Sequence, residues 1–483
     1  MRIISIFGSI VVSLLFLFSP VEIKAQVAQP NAGPAKSVNI PAVKESKLAN
    51  GLRVAVVHKP NVPLVTIQLI ITSGASLEPV EKAGLADMTA SMLTKGTKTR
   101  SATQIAEEVE FLGGFIFSGA NWNASTVNIT VTTDKLDAAM TILSDVVLNP
   151  SFDEKELDLL KSQSLDGLVF NLTQPGFLAN YVASSFTFGE HPTNGTPDSI
   201  KSISRDDIVD FQSRWFSPAN GILIFAGDID ARKADALAAK FFGQWKAGST
   251  GAKSTASAAN SHSSGGRLLV IDLPNSGQAA VTYAKALDSF RRVESTYYFP
   301  ASVLNSVLGG GYSSRLNQEI RIKRGLSYGA GSAFAWRRVG SNFSTRTQTK
   351  NESAPEVVEL VLAEINRLAN GEIPDQELVP RKSVLTGGFG RNLETTRGVA
   401  NALAELYGFG VPTTELNSYT NSVNGVSEAQ IRNLAAKNLL GGDIIIVGDY
   451  SKFKDDLAKR FPKMKTEVIK ADELDITKPN LRK

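Results

Sequence analysis

The chain repeats itself, and any fold has to accommodate the repeat. Ile203-Ser-Arg-Asp-Asp-Ile208 precedes a helical stretch and then the apolar run Ile222-Leu-Ile-Phe-Ala-Gly-Asp228; Val426-Ser-Glu-Ala-Gln-Ile431 likewise precedes Ile444-Ile-Ile-Val-Gly-Asp449. Ser204 with Asp207, and Ser427 with Gln430, stand at the spacing of a capping box, so each pair is expected to start the same helix. Positions 228 and 449 differ by 221, Ser204 and Ser427 by 223, and the strand residues Thr66 and Thr282 by 216. A tandem duplication of an α/β unit of roughly 200 residues accounts for these offsets. It makes two domains a better count for 483 residues than the three suggested by a prior of roughly 150 residues per domain.

Within the first repeat, Leu64–Ile71 reads as a strand and 84–94 as a helix, with Leu85, Met88 and Met92 at helical spacing. Residues 107–112 lead through Gly113-Gly114 to Ser125–Thr132, the clearest alternating strand, then to helices over 136–148 and 152–168. The unit closes with the strand at 222–228 and a helix to about Trp245. The run Ala247-Gly-Ser-Thr-Gly-Ala-Lys-Ser-Thr-Ala-Ser cannot bury enough apolar surface to order itself, which makes 246–266 the linker. The expected fold class is α+β: two tandem homologous α/β domains, 44–245 and 267–465, each an antiparallel-rich sheet covered by helices. A polar segment, 26–43, precedes them and a polar tail, 466–483, follows.

Residues 1–25 read as a secretory signal: Arg2, an apolar run from Ile3 to Phe18 broken only by Ser5, Gly8, Ser9 and Ser13, then Pro20 and a cleavage site after Ala25. The run is short of the ~20 residues a spanning helix needs, so an uncleaved anchor is the alternative and no stable membrane span is expected after processing. The chain is therefore expected to be exported, to the periplasm in a Gram-negative cell. Absence of cysteine removes disulfides, thiol nucleophiles and thiolate metal sites. Of the three histidines, His58, His191 and His262, no two stand at i, i+3 or i+4, and His191 reads as a packing or capping residue. Lys and Arg number 51 against 47 Asp and Glu without a dense basic stripe, so nucleic acid is not an expected partner. Asn123-Ala-Ser125 has the acceptor pattern for N-glycosylation, a frequent triplet.

Three segments carry a family likeness: Gly84-Leu-Ala-Asp-Met-Thr-Ala-Ser-Met-Leu-Thr-Lys-Gly-Thr97, Leu308-Gly-Gly-Gly-Tyr-Ser-Ser-Arg-Leu316 and Gln318-Glu-Ile-Arg-Ile-Lys-Arg-Gly-Leu-Ser-Tyr328. In this order on a duplicated chain, over about residues 40–465, they resemble the pitrilysin and mitochondrial processing peptidase family of inverted-motif zinc peptidases. Active members carry H-x-x-E-H on the first of these helices, two His for zinc and a Glu to activate water. Here those positions hold Asp87, Ala90 and Ser91. The family's third ligand would fall near Gly167, and Asp166 beside it points about 100° away on a helix. No metal or cofactor is therefore expected in this chain.

The same resemblance implies a role for Arg321 and Tyr328, seven positions apart: a guanidinium and a phenol O–H that meet the charge on a tetrahedral intermediate. Without the resemblance, Arg321 reads as a solvated helix-face charge and Tyr328 as a core or interface aromatic. Arg324 is the second choice for the cation and a substrate contact. Gly309, Gly310 and Gly311 form either a substrate-contacting loop or a close-packed turn. The resemblance further implies half of a clamshell, a homologous partner subunit bearing the zinc, and peptide substrates enclosed between facing halves. The alternative is a structural or binding protein of the same fold, like the core subunits of respiratory complexes.

Overall fold

The computed structural model describes residues 41–246 and 265–483; the leader at 1–25, His262, and nearly all of the segments 26–43 and 246–266 lie outside them. Twelve strands form two sheets of six. The first holds β1 (Lys44–Lys47), β2 (Arg53–His58), β3 (Leu64–Ile71), β4 (Phe115–Ala120), β5 (Ser125–Thr132) and β6 (Gly221–Gly227), in the order β1-β2-β6-β3-β5-β4. The second holds β7 (Leu268–Asp272), β8 (Ala279–Leu287), β9 (Ala330–Trp336), β10 (Ser341–Thr349), β11 (Asp443–Gly448) and β12 (Thr466–Lys470), in the order β12-β7-β11-β8-β10-β9. Without the outer strands β1 and β12, the two orders are the same. In each five-strand core one pair is parallel, β2 with β6 and β7 with β11, and the others are antiparallel.

The repeat read from the sequence is therefore the repeat of the fold, with one correction of register. His58 pairs with Gly227 and Asp272 with Gly448, which equates the two strand ends. Thr66 then lies opposite Ala226, whereas Thr282 lies opposite Ile445, the counterpart of Ile224, which faces Gln68. The partner of Thr282 is thus Gln68, and the offset there is 214, the difference between 282 and 68. A slip of two residues keeps every side chain on the same face, so apolar patterning cannot detect it. The expected capping boxes are present: Ser204 accepts from the Asp207 amide and Ser427 from the Gln430 amide, starting helices Arg205–Trp215 and Glu428–Asn438.

The polar tail needs a second correction. Residues 466–470 are β12, parallel to β7 at the sheet edge, and Ile476 and Leu481 beyond it are buried. A five-residue edge strand alternating Thr, Glu, Val, Ile and Lys resembles a solvated segment because only Ile469 is buried in it.

The central strands β6 and β11 are buried throughout, and apolar apart from Asp443 at the start of β11, because helices cover both faces of each sheet. One of those covers is exchanged. Helix Pro175–Phe186, from the first half, packs on β8 and β11; helix Thr396–Phe409, from the second, packs on β3 and β6. Leu178, Val182 and Phe186 share a core with Leu269, Ile271, Ile445 and Val447. In the reciprocal position Val399, Leu403 and Leu406 share a core with Val57, Ile70, Ile222 and Ile224. Polar bonds follow the same crossings: Thr66 Oγ1 to Thr396 Oγ1 at 2.9 Å, Tyr407 O–H to Glu45 at 2.6 Å, and Arg337 to Glu190 at 3.1 Å. Asn123 belongs to this seam, accepting from the Arg338 amide at 3.2 Å while 9% exposed, which withdraws it as a glycan acceptor.

Candidate functional site

The duplication produces two cavities in corresponding places, each between one sheet and the helix exchanged from the other half. The second-half cavity, of about 950 Å³, is built around the Gly309 loop and the strand pair β9–β10. Helix Ser295–Leu308 ends against β9, where a Cβ on Gly309 would lie 2.2 Å from the Ser332 amide nitrogen. Gly310 is nearly as confined, 2.9 Å from the Asn305 carbonyl, while a Cβ on Gly311 would meet nothing within 4 Å. Of the two readings of this run, close packing describes Gly309 and Gly310, and Gly311 faces open space. Arg381 donates to the Ser313 hydroxyl and carbonyl, and buried Arg315 pairs with Glu377 at 2.7 Å, so the loop is held from beneath.

After the loop the chain enters a π-helix, Asn317–Ile322, in which Lys323 N–H reaches the Gln318 carbonyl at 2.9 Å. Such widened turns are rare and concentrate at functional sites. Gly325, at φ +64°, ends it, and the next residues carry Tyr328 to the mouth of the cavity, 90% exposed. Arg321 lines the same cavity, half-buried, its guanidinium carbon 5.0 Å from the Tyr312 ring centroid and without an ion pair among the described residues. The structure thus brings Arg321, Tyr328 and Gly309–Gly311 together. Arg324 is directed elsewhere: it bonds Glu319 at 2.6 Å, lies 3.7 Å from Glu356, and does not line the cavity. The sequence reading missed Asn180 from the exchanged helix and Arg346 and Gln348 from β10. The alternation Ser344, Arg346, Gln348 carried that signal, but only tertiary packing says which face it lines.

The first-half cavity, of about 750 Å³, is lined by Asp87, the first position of the zinc motif. Helix Leu85–Met92 begins at Gly84, where buried Glu78 accepts from the Gly84 and Ala86 amides at 2.8 and 2.6 Å and bonds His191 Nε2 at 2.9 Å. His191 is thus a support for this helix start. Asp87 lines the cavity, accepts from the Ala120 amide at 3.1 Å, and has its pKa raised by burial. Ala90 is fully buried, and Gly167 and Asp166 are exposed on helix Glu154–Leu172. One carboxylate beside a methyl and a hydroxyl does not make the three-ligand set of a catalytic zinc. Among the described residues no group of three or more His, Cys, Asp or Glu is placed to hold a metal ion. The residues present in this chain do not fit zinc.

Residues 53–166 match the family described as "Insulinase (Peptidase family M16)", and residues 202–385 match "Peptidase M16 inactive domain". The two matches together cover more than half of the chain. An "Uncharacterized zinc protease" of Rickettsia bellii is 28% identical over 291 residues, 59% of this chain and 68% of that protein. The "Non-peptidase homolog YmxG" of Helicobacter pylori is 25% identical over 419 residues, 84% of this chain and 94% of that protein. The crystal structure of a peptidase M16 inactive domain from Pseudomonas fluorescens superposes with TM-score 0.76 at 24% identity, covering 84% of this chain and 98% of that one.

Proposed function

The chain belongs to the peptidase M16 family, and from that membership and its two unlike cavities we propose that it is the noncatalytic, substrate-binding subunit of an exported heterodimeric zinc endopeptidase. A homologous partner subunit carries the zinc and the general base. This chain closes the substrate chamber and supplies Arg321 and Tyr328 in trans. The observation that carries the reading is the meeting, at one cavity, of a guanidinium without an ion pair among the described residues and an exposed phenol, while the one motif position that lines the other cavity is the carboxylate of Asp87. A guanidinium and a phenol O–H both donate, and donors aimed at a developing oxyanion stabilise the transition state more than the substrate. The name of the Helicobacter relative, a non-peptidase homolog, supports the noncatalytic part. No helix among the described residues is long and apolar enough to cross a membrane.

The test reconstitutes the heterodimer with Tyr328→Phe or Arg321→Ala, verifies assembly by size-exclusion chromatography, and measures peptide hydrolysis. Loss of one oxyanion donor is expected to slow turnover on the order of 100- to 1,000-fold with assembly intact. Tyr328→Phe removes only the O–H, which separates the donor from the packing of the ring. Full activity of both assembled variants would transfer the chain to the alternative reading, a structural or binding subunit.

A further inference from the structure

The lining of the second-half cavity includes two arginines, Arg321 and Arg346, and neither Asp nor Glu. Neither guanidinium makes an ion pair among the described residues, whereas Arg315 and Arg324, on the same loop and helix, are each paired with glutamate. Arg346 is exposed on β10, where its register partner on β9 is Gly331, so no neighbouring side chain covers it from that strand. The rest of the polar lining is uncharged, and Gln348 follows Arg346 by two residues on the same face of β10. Two like charges in a cavity whose lining carries no carboxylate give it a positive potential, which favours an anion at either guanidinium.

We propose that this cavity selects peptide segments bearing a carboxylate, with Arg346 as the residue that determines the preference. The inference rests on the peptide-binding reading above and adds the class of peptide. Arg321 serves either site chemistry, but Arg346 lies outside the Arg321–Tyr328 pair, so it can be changed without touching the proposed oxyanion donors. As an exposed residue on the strand surface, it can be replaced with little cost to folding.

The test is equilibrium binding to the isolated full chain, so it needs no partner and no turnover. The probes are three N-acetylated heptapeptides of Gly, Ser and Leu: one with a central Glu and an amidated C-terminus, one with Gln in its place and amidated, and the Gln peptide with a free C-terminus. The Glu peptide is expected to bind about tenfold more tightly than the amidated Gln peptide at low salt, with the gap narrowing as salt is raised. If the free-acid Gln peptide matches the Glu peptide, the cavity accepts a carboxylate from either source; if it binds only as well as the amidated Gln peptide, the side-chain carboxylate alone is read; if it alone binds tightly, the chain terminus is. Arg346→Gln is expected to erase most of the preference, Arg346→Lys to keep part of it, and Arg346→Glu to reverse it, the amidated Gln peptide then binding more tightly than the Glu peptide. Equal affinity of the three peptides, or a preference that survives Arg346→Gln and Arg346→Glu, overturns the proposal while leaving peptide binding in place. Binding of none of them overturns it together with the peptide-binding reading. An intact preference with unaltered turnover in the Arg321 and Tyr328 heterodimers would remove the trans-catalysis reading alone.

Discussion

Asp87 stands at the first position of the zinc motif, on a helix face that lacks the other ligands. Its carboxyl is shielded by the strands of the first-half cavity and keeps one backbone donor, the Ala120 amide. Burial penalises the anion, so its pKa is raised above the ordinary 3.8, and the folded state binds the proton more tightly than the unfolded one. The contribution of this group to stability is therefore complete below the unfolded value and is lost as pH rises through the folded value. Asp87→Asn, whose side-chain oxygen can still accept from Ala120, removes that loss. Thermal unfolding should place the variant level with the parent near pH 3 and above it near pH 7. A difference that does not change with pH would mean that burial imposes no cost on the Asp87 anion. The missing ligands at 87, 90 and 91 were legible from residue identity alone. Glu78 was not, because nothing local distinguishes a surface acid from one that caps a helix seven residues onward in a folded chain.

At the scale of elements, short-range chemistry was readable and long-range pairing was not. Strands Leu64–Ile71 and Ser125–Thr132 and helix Leu136–Leu148 fall where periodicity predicts them, and both capping boxes form, because the deciding contacts lie within a few residues. Strand β12 and the Thr282 register escaped, since each depends on a neighbouring strand distant in sequence. The Gly309 run turns on the same distinction. Gly309 is required by the approach of β9, a non-local contact, so Gly309→Ala must displace a strand and is expected to destabilise by about 1–3 kcal/mol. Gly311→Ala meets nothing within 4 Å and should be neutral within about 0.5 kcal/mol. Chemical denaturation of the two variants checks this, and equal losses at both positions would show that the loop is not packed as described.

For the whole molecule, the duplication predicts two halves but not their exchange of helices, since an amphipathic helix shows that it covers a sheet without showing which one. The exchange changes what cutting the chain should do. Separating the halves would pull helix Pro175–Phe186 off β8 and β11 and helix Thr396–Phe409 off β3 and β6. Leu178, Val182, Phe186, Val399, Leu403 and Leu406 would all lose their cover. At about 1.5–3 kcal/mol for each fully buried large apolar side chain, these six alone contribute on the order of 10 kcal/mol to holding the halves together. The Thr66–Thr396, Glu45–Tyr407 and Glu190–Arg337 bonds add to them. Limited proteolysis is therefore expected to cut first within 246–266 and to give two fragments of similar size on a denaturing gel. Under native conditions those fragments should still elute as one species at the volume of the intact chain and unfold in one transition. Elution as two smaller species after a single cut would show that the halves fold independently and that the exchanged helices do not hold them together.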